Sequence, residues 1–238
     1  MLSPVSMEFP NTNWTILASA TLNGDTSGHE ALNELCRSYW QPIAAFIRSR
    51  GFPSERVEDL TQDFFIQIME RQFFKRADRD KGRFRSFMLG SLRLFLTDAL
   101  RHQNAQKRGG HLEQTVLGEN DITMEMEELQ FDQSWAEMVF ERSLKKLEDI
   151  VLKKRTPQGW TLLRCFLPGP STMRSVSYLE LGEEIGLTEG GAKTEVFRLR
   201  QQFRDALRAE VALTVGAPHE VDEELSHLRS TLERSTLL

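Results

Sequence analysis

Cations and aromatic rings share one stretch of the chain, Gly82–Gly110, which reads GRFRSFMLGSLRLFLTDALRHQNAQKRGG. Phe84, Phe87, Met88, Ser91, Leu92, Phe95, Leu96 and Ala99 recur there at steps of three and four, the period of one helix face. Around that stripe stand Arg83, Arg85, Arg93, Arg101, His102, Lys107 and Arg108, with Asp98 as the only acid. Cations neutralise phosphates and rings stack on unpaired bases, so this set of residues suits nucleic acid. A solvated charged face above an ordinary Phe/Leu core carries the same pattern.

A second basic strip lies near the C-terminus. Lys193, Phe197, Arg200, Arg204 and Arg208 follow one side of a helical pattern, with Thr194 and Arg198 flanking. The segment before it supplies a capping box, Ser177 with Glu180, a turn at Gly186 and a cap at Thr188. Together they read as a helix-turn-helix whose second helix buries Ala192, Val196, Leu199, Phe203 and Leu207. In such modules the first part of the second helix meets base edges and later cations meet phosphates. Lys193, Thr194, Phe197 and Arg198 are accordingly candidates for base contact, and Arg200 and Arg204 for the backbone. A solvent-facing basic helix in a plain hairpin is the alternative.

A third face is acidic: Glu55, Glu58, Asp59, Gln62, Asp63 and Gln67. Paired carboxylates could do acid–base work or hold a metal, yet no histidine stands near them. No H-E-x-x-H, phosphate-binding loop or G-x-S-x-G occurs, and His29, His102, His111, His219 and His227 are scattered. The expectation is a solvated or partner-binding face, no enzyme activity and no cofactor.

The elements that position these residues are helical throughout. With 238 residues, abundant Leu and Phe and little Tyr, the composition favours an all-α protein of two small helical domains. Residues 1–13 read as a disordered lead-in, and Trp14–Ala20 as a short helix. A helix with Leu32, Leu35, Cys36, Tyr39, Trp40, Ile43, Phe46 and Ile47 on one face ends at Gly51, and Pro42 predicts a kink or break in it. The next helix starts near Pro53 or Ser54 and buries Val57, Leu60, Phe64, Phe65, Ile68 and Met69. With the central basic helix these make an N-terminal bundle over 14–110.

From His111 to Glu141 no Lys or Arg occurs among nine acids. Residues 111–131 read as an acidic linker. A C-terminal domain carrying the helix-turn-helix covers 132–215. An amphipathic tail helix, 216–238, has Val221, Leu225, Leu228 and Leu232 at helical spacing and is expected to fold back on that second domain.

Net charge is −5, so any nucleic-acid contact must come from local patches. Cys36 and Cys165 lie far apart and read as reduced thiols. No stretch approaches the roughly 18 apolar residues of a membrane span, and the first Lys or Arg is Arg37, so no export signal is legible and a cytoplasmic location is expected.

Taken in order, TILASA, ALNELCRSYWQPIAAFIRSRG, EDLTQDFFIQIMER, the Gly82–Gly110 stretch, SYLELGEEIGLTEGGAKTEVFRLR and LRAEVALTV resemble the extracytoplasmic-function (ECF) sigma factors of bacterial RNA polymerase, most closely a branch common in planctomycete-like genomes. The resemblance implies a promoter-specificity subunit that binds core polymerase and recognises −35 and −10 elements. EDLTQDFF looks like the helix that docks on the β′ clamp helices, through Asp59, Leu60, Gln62, Asp63 and Phe64. Phe84–Arg108 looks like the −10 melting segment, with Arg83, Arg85, Phe87, Arg93, Asp98, Arg101, Lys107 and Arg108 at the DNA. Phe87 matches a strand-opening tryptophan, and Asp98 and Arg101 match a recurrent Asp-x-x-Arg. GAKTEVFRLR looks like the −35 reading helix, and the acidic linker resembles those that thread the RNA exit path. The implied partners are core polymerase (β′ clamp helices and β flap) and promoter DNA, with room for an anti-sigma factor and none for a membrane.

Three departures stand out. Leu94 replaces a frequent asparagine. Glu195 replaces a frequent arginine, where it would repel phosphate or read a cytosine. Gly182 and Gly190-Gly191 are expected to loosen the helix-turn-helix. The rival reading is a free-standing helix-turn-helix regulator whose N-terminal bundle serves dimerisation or a ligand.

Overall fold

A computed structural model describes residues 13, 26–70, 83–107, 123–168 and 175–235. Most of the lead-in, the helix expected at Trp14–Ala20 and the stretch 108–122, which includes Arg108, lie outside the described residues. Those described are helical, with no strand among them: α1 Thr26–Ser49, α2 Ser54–Glu70, α3 Phe84–Lys107, α4 Met124–Val151, α5 Pro157–Arg164, α6 Tyr178–Ile185, α7 Glu189–Ala212 and α8 Val221–Ser235, with a 3-10 turn at Pro218–Glu220. The all-α class read from composition is the class observed.

The chain divides into two compact units, one drawn from Met1–Met138 and Ala212–Leu232, the other from Val139–Val211 and Glu233–Leu238. In the first, α1 and α2 pack on each other and bury the stripes that their periodicity announces: Tyr39, Ile43, Phe46 and Ile47 from α1, Val57, Leu60, Phe64 and Ile68 from α2. Each such side chain contributes on the order of 1.5–3 kcal/mol on leaving water. Ring pairs lock the layers, among them Tyr39–Phe84 at 5.3 Å and Phe64–Phe95 at 5.6 Å. Burial pushes the Cys36 thiol up to about 11, which keeps it protonated and inert at neutral pH.

Pro42 does not break α1. The helix runs through it, with Pro42, Ile43 and Ala44 all buried, so packing on either side outweighs the one missing hydrogen bond.

Two further differences concern the acidic segment and the tail. The expected linker does not extend to 131, because α4 starts at Met124, where the Thr123 hydroxyl accepts from the Met126 amide at 3.3 Å. Glu125 and Glu127 sit in its first turn, where the helix dipole favours acids. Most of the tail helix α8, Val221 to Leu232, belongs to the first unit, and only its end from Glu233 groups with the second. The stretch of chain before it also serves that unit: the Phe84 amide, at the start of α3, donates to the Thr214 carbonyl at 3.2 Å.

The second unit has its own core of Leu147, Val151, Leu162, Leu163, Leu181, Ala192, Val196, Leu199 and Phe203. Thr156 caps α5 by accepting from the Gly159 amide at 2.9 Å, with Pro157 in the first turn.

Candidate nucleic-acid interface

The helix-turn-helix of α6 and α7 is built from local signals. Ser177 caps α6 by accepting from the Glu180 amide at 3.1 Å. Gly186 ends it with φ of 71°, the left-handed conformation that glycine adopts without strain, and the Leu187 amide returns to the Gly182 carbonyl at 2.8 Å. Thr188 then caps α7 through the Gly191 amide at 3.2 Å.

Gly182 tightens this turn and does not loosen it. A Cβ there would stand 2.5 Å from the Leu187 carbonyl oxygen, so only glycine lets the chain fold so closely over α6. Gly191 has Leu187 side-chain atoms at 3.2 Å, and only Gly190 faces open space.

With Ala192, Val196, Leu199 and Phe203 buried, α7 turns Lys193, Thr194, Phe197, Arg198 and Arg204 to solvent. Phe197 is 67% exposed, an aromatic ring that nothing in the second unit covers. Lys193 pairs with Glu189 one turn back at 2.7 Å, which raises its pKa, and lies 5.6 Å from the Tyr178 ring centre. Arg200 donates to the Phe166 carbonyl at 3.0 Å and Arg204 to the Gln201 side chain at 2.6 Å. Glu195 faces inward from this surface: Arg155 holds its carboxylate at 3.1 Å and also donates to the Ile185 carbonyl. Its charge is answered within the unit, which accounts for an acid on a helix otherwise turned toward phosphate.

In α3 the arginines are placed differently. Arg85 is buried, its Nε 2.7 Å from the Glu224 carboxylate, with Asp132 on its other side and the Trp135 ring 5.3 Å away. Burial alone would lower its pKa, but Glu224 and Asp132 outweigh that and raise it. Arg83 reaches Glu224 at 2.8 Å and also pairs with Glu223. Arg93 is held by Glu127 at 2.9 Å and by the Met124 carbonyl at 3.1 Å, while Arg50 also meets Glu127. Three of the cations assigned to DNA thus neutralise acids of α4 and α8, and Arg85 has no surface left for a phosphate in this arrangement.

The solvent face of α3 is made instead by Phe87, Gly90, Leu94, Thr97, Asp98 and Arg101. Phe87 is half-buried, its ring 6.0 Å from that of Phe84. Leu94 is 60% exposed. Arg101 is exposed and lies 3.5 Å from Asp98. The Lys107 side chain lies outside the described residues.

On α2, Asp59, Gln62 and Asp63 are exposed, with Ile66 beside them, whereas Leu60 and Phe64 are buried at 1% exposure each. The five residues assigned to one partner face therefore divide: three point outward and two anchor the helix that presents them.

Among the described residues no grouping of His, Cys, Asp or Glu could hold a metal ion, and no helix is long and apolar enough to cross a membrane. The family model for ECF sigma factors matches residues 12–159. The chain belongs to the ECF sigma factor family. No curated protein and no solved structure matches it. ECF sigma factors are DNA-binding regulators of transcription initiation. The matched span covers α1–α4 and the start of α5, so the sigma factor's α6–α7 pair is identified by its own geometry.

What the sequence did not disclose is the set of acids that answer the α3 arginines. Glu127 and Glu224 were visible as acids at positions where their helical stripes call for apolar residues, and that misfit was the available signal.

Proposed function

We propose that this sigma factor binds core RNA polymerase through the solvent face of α2, opens the −10 element with α3, and reads the −35 element with α7. The exposed strip of Lys193, Thr194, Phe197 and Arg198, on the second helix of a tightly built helix-turn-helix, carries this reading. A helix in the major groove needs such a strip near its N-terminus, with cations such as Arg200 and Arg204 further along for the backbone. Asp59, Gln62 and Asp63 give α2 a polar, acidic face suited to a basic surface on the β′ clamp, and the β flap would meet the second unit. Polymerase supplies most of the affinity for DNA, since net charge is −5 and three α3 arginines are already neutralised.

Run-off transcription with purified core polymerase on a randomised promoter pool tests the proposal. Enrichment of templates with two defined elements is the expected result. A chain that ignores core polymerase yet binds one duplex tightly and specifically would instead be a free-standing regulator.

A further inference from the structure

We infer that Arg155 is a positioning residue for −35 selectivity: it holds the Glu195 carboxylate and thereby leaves Arg198 free to meet a base. The inference rests on the proposed role of α7 at the −35 element and names a side chain outside that helix on which one of its contacts depends.

Every residue involved lies in the second unit. Arg155 stands in the link between α4 and α5, where its own amide donates to the Val151 carbonyl at 2.9 Å and the next residue, Thr156, caps α5. Its guanidinium spans the turn of the helix-turn-helix. One nitrogen donates to the Ile185 carbonyl, at the end of α6, at 3.3 Å, and another to the Glu195 carboxylate at 3.1 Å. A planar fork engaged at two acceptors holds its partner in one place. The two side chains are 25% and 26% exposed, so the pair is partly shielded from water and salt.

What this hold prevents can be read from α7 itself. Glu195 stands three residues before Arg198, a spacing at which opposite charges on a helix surface pair. At the start of the same helix such a capture has taken place: Lys193 is drawn to Glu189, four residues back, at 2.7 Å. Arg198, by contrast, is exposed and pairs with no acid among the described residues. The acid one turn behind it is the one that Arg155 holds.

The difference matters to a base. An arginine with its fork open can donate to both acceptors on the major-groove edge of a guanine. One paired with a carboxylate has part of that fork filled, and the carboxylate beside it repels nearby phosphates. Arg155 therefore acts through Glu195 on Arg198, with no contact to DNA of its own.

The test uses the full-length chain with core polymerase, selecting templates from a promoter pool randomised across the −35 element. Arg198→Ala first marks the base position that depends on Arg198, by relaxing selection there. Arg155→Ala should then weaken selection about threefold at that same position and at no other. The double variant Arg155→Ala/Glu195→Gln should restore it. Relaxation spread over the whole element, or a loss that the double variant does not restore, would make Arg155 a structural tie or a DNA contact and overturn the inference. Wild-type selection by Arg155→Ala would overturn it as well. If Arg155→Ala does not fold, Arg155→Gln, which keeps a donor for the Ile185 carbonyl, takes its place in both comparisons. An Arg198→Ala chain that relaxes no position would defeat the parent reading at Arg198, and the inference with it.

Discussion

The helices α3 and α7 are each 24 residues long and each is studded with cations at helical spacing, yet they treat those cations in opposite ways. In α7 Lys193, Arg198 and Arg204 lie at the surface: Lys193 pairs with Glu189 and Arg204 with Gln201 on their own helix, and Lys193 also lies over the Tyr178 ring of α6. In α3 Arg85 is sealed beneath Glu224, Asp132 and Trp135, and Arg83 and Arg93 are answered by carboxylates from two other helices. Spacing puts a cation on a helix face. Whether it meets phosphate or protein depends on acids from other helices, 139 residues away in the case of Arg85 and Glu224.

That contrast can be broken most sharply at Arg85. Arg85→Ala leaves the Glu224 carboxylate buried beside Asp132 without its main counter-charge, and should cost the first unit about 3–5 kcal/mol, read by urea or thermal unfolding. An Arg85→Ala chain as stable as wild type would return that guanidinium to the DNA surface. Gly182→Ala comes next: with a carbonyl oxygen 2.5 Å from the added Cβ, the second unit should lose about 1–3 kcal/mol and the −35 surface its geometry. Arg198→Ala should do the reverse of Arg85→Ala, leaving unfolding unchanged while weakening cognate −35 use about tenfold in a promoter competition. Unaltered −35 preference would remove Arg198 from the reading surface. The smallest effect belongs to Gly190→Ala, where open space around the Cβ should allow a gain of under about 1 kcal/mol, visible as slower hydrogen exchange in the first turn of α7.

The same contrast explains what was legible in the chain. The caps and turn of the helix-turn-helix could be read because their signals are local: Ser177 to Glu180 and Thr188 to Gly191 are caps three residues long, and Gly186 marks its turn by its own conformation, whereas the tight approach at Gly182 and the Arg155 partner of Glu195 could not. The α1 and α2 stripes were equally plain, and Pro42 misled only because a local rule met a buried, well-packed helix. The first half of α4 was hidden by its own chemistry. Glu127 occupies a core-facing position and Asp132 a shielded one, so the 3.6 period fades where Arg50, Arg85 and Arg93 need anions. The tail showed its helix but not its partner: Glu224 stands out as an acid on the apolar stripe, yet only the fold brings Arg83 and Arg85 to it. At the candidate site, residue types were legible and exposure was not: Leu60, Phe64 and Arg85 carry the right letters on inward-facing positions, while Leu94 looked like a departure and is exposed.

Because the first unit takes Ala212–Leu232 from beyond Val139–Val211, that stretch of the second unit is an insertion within it in order of synthesis. A translating ribosome must therefore have made α7 before Glu224 exists to meet Arg83 and Arg85, and before Thr214 can receive the Phe84 amide. Until then, of its two carboxylate partners Arg85 has only Asp132 within the chain already made.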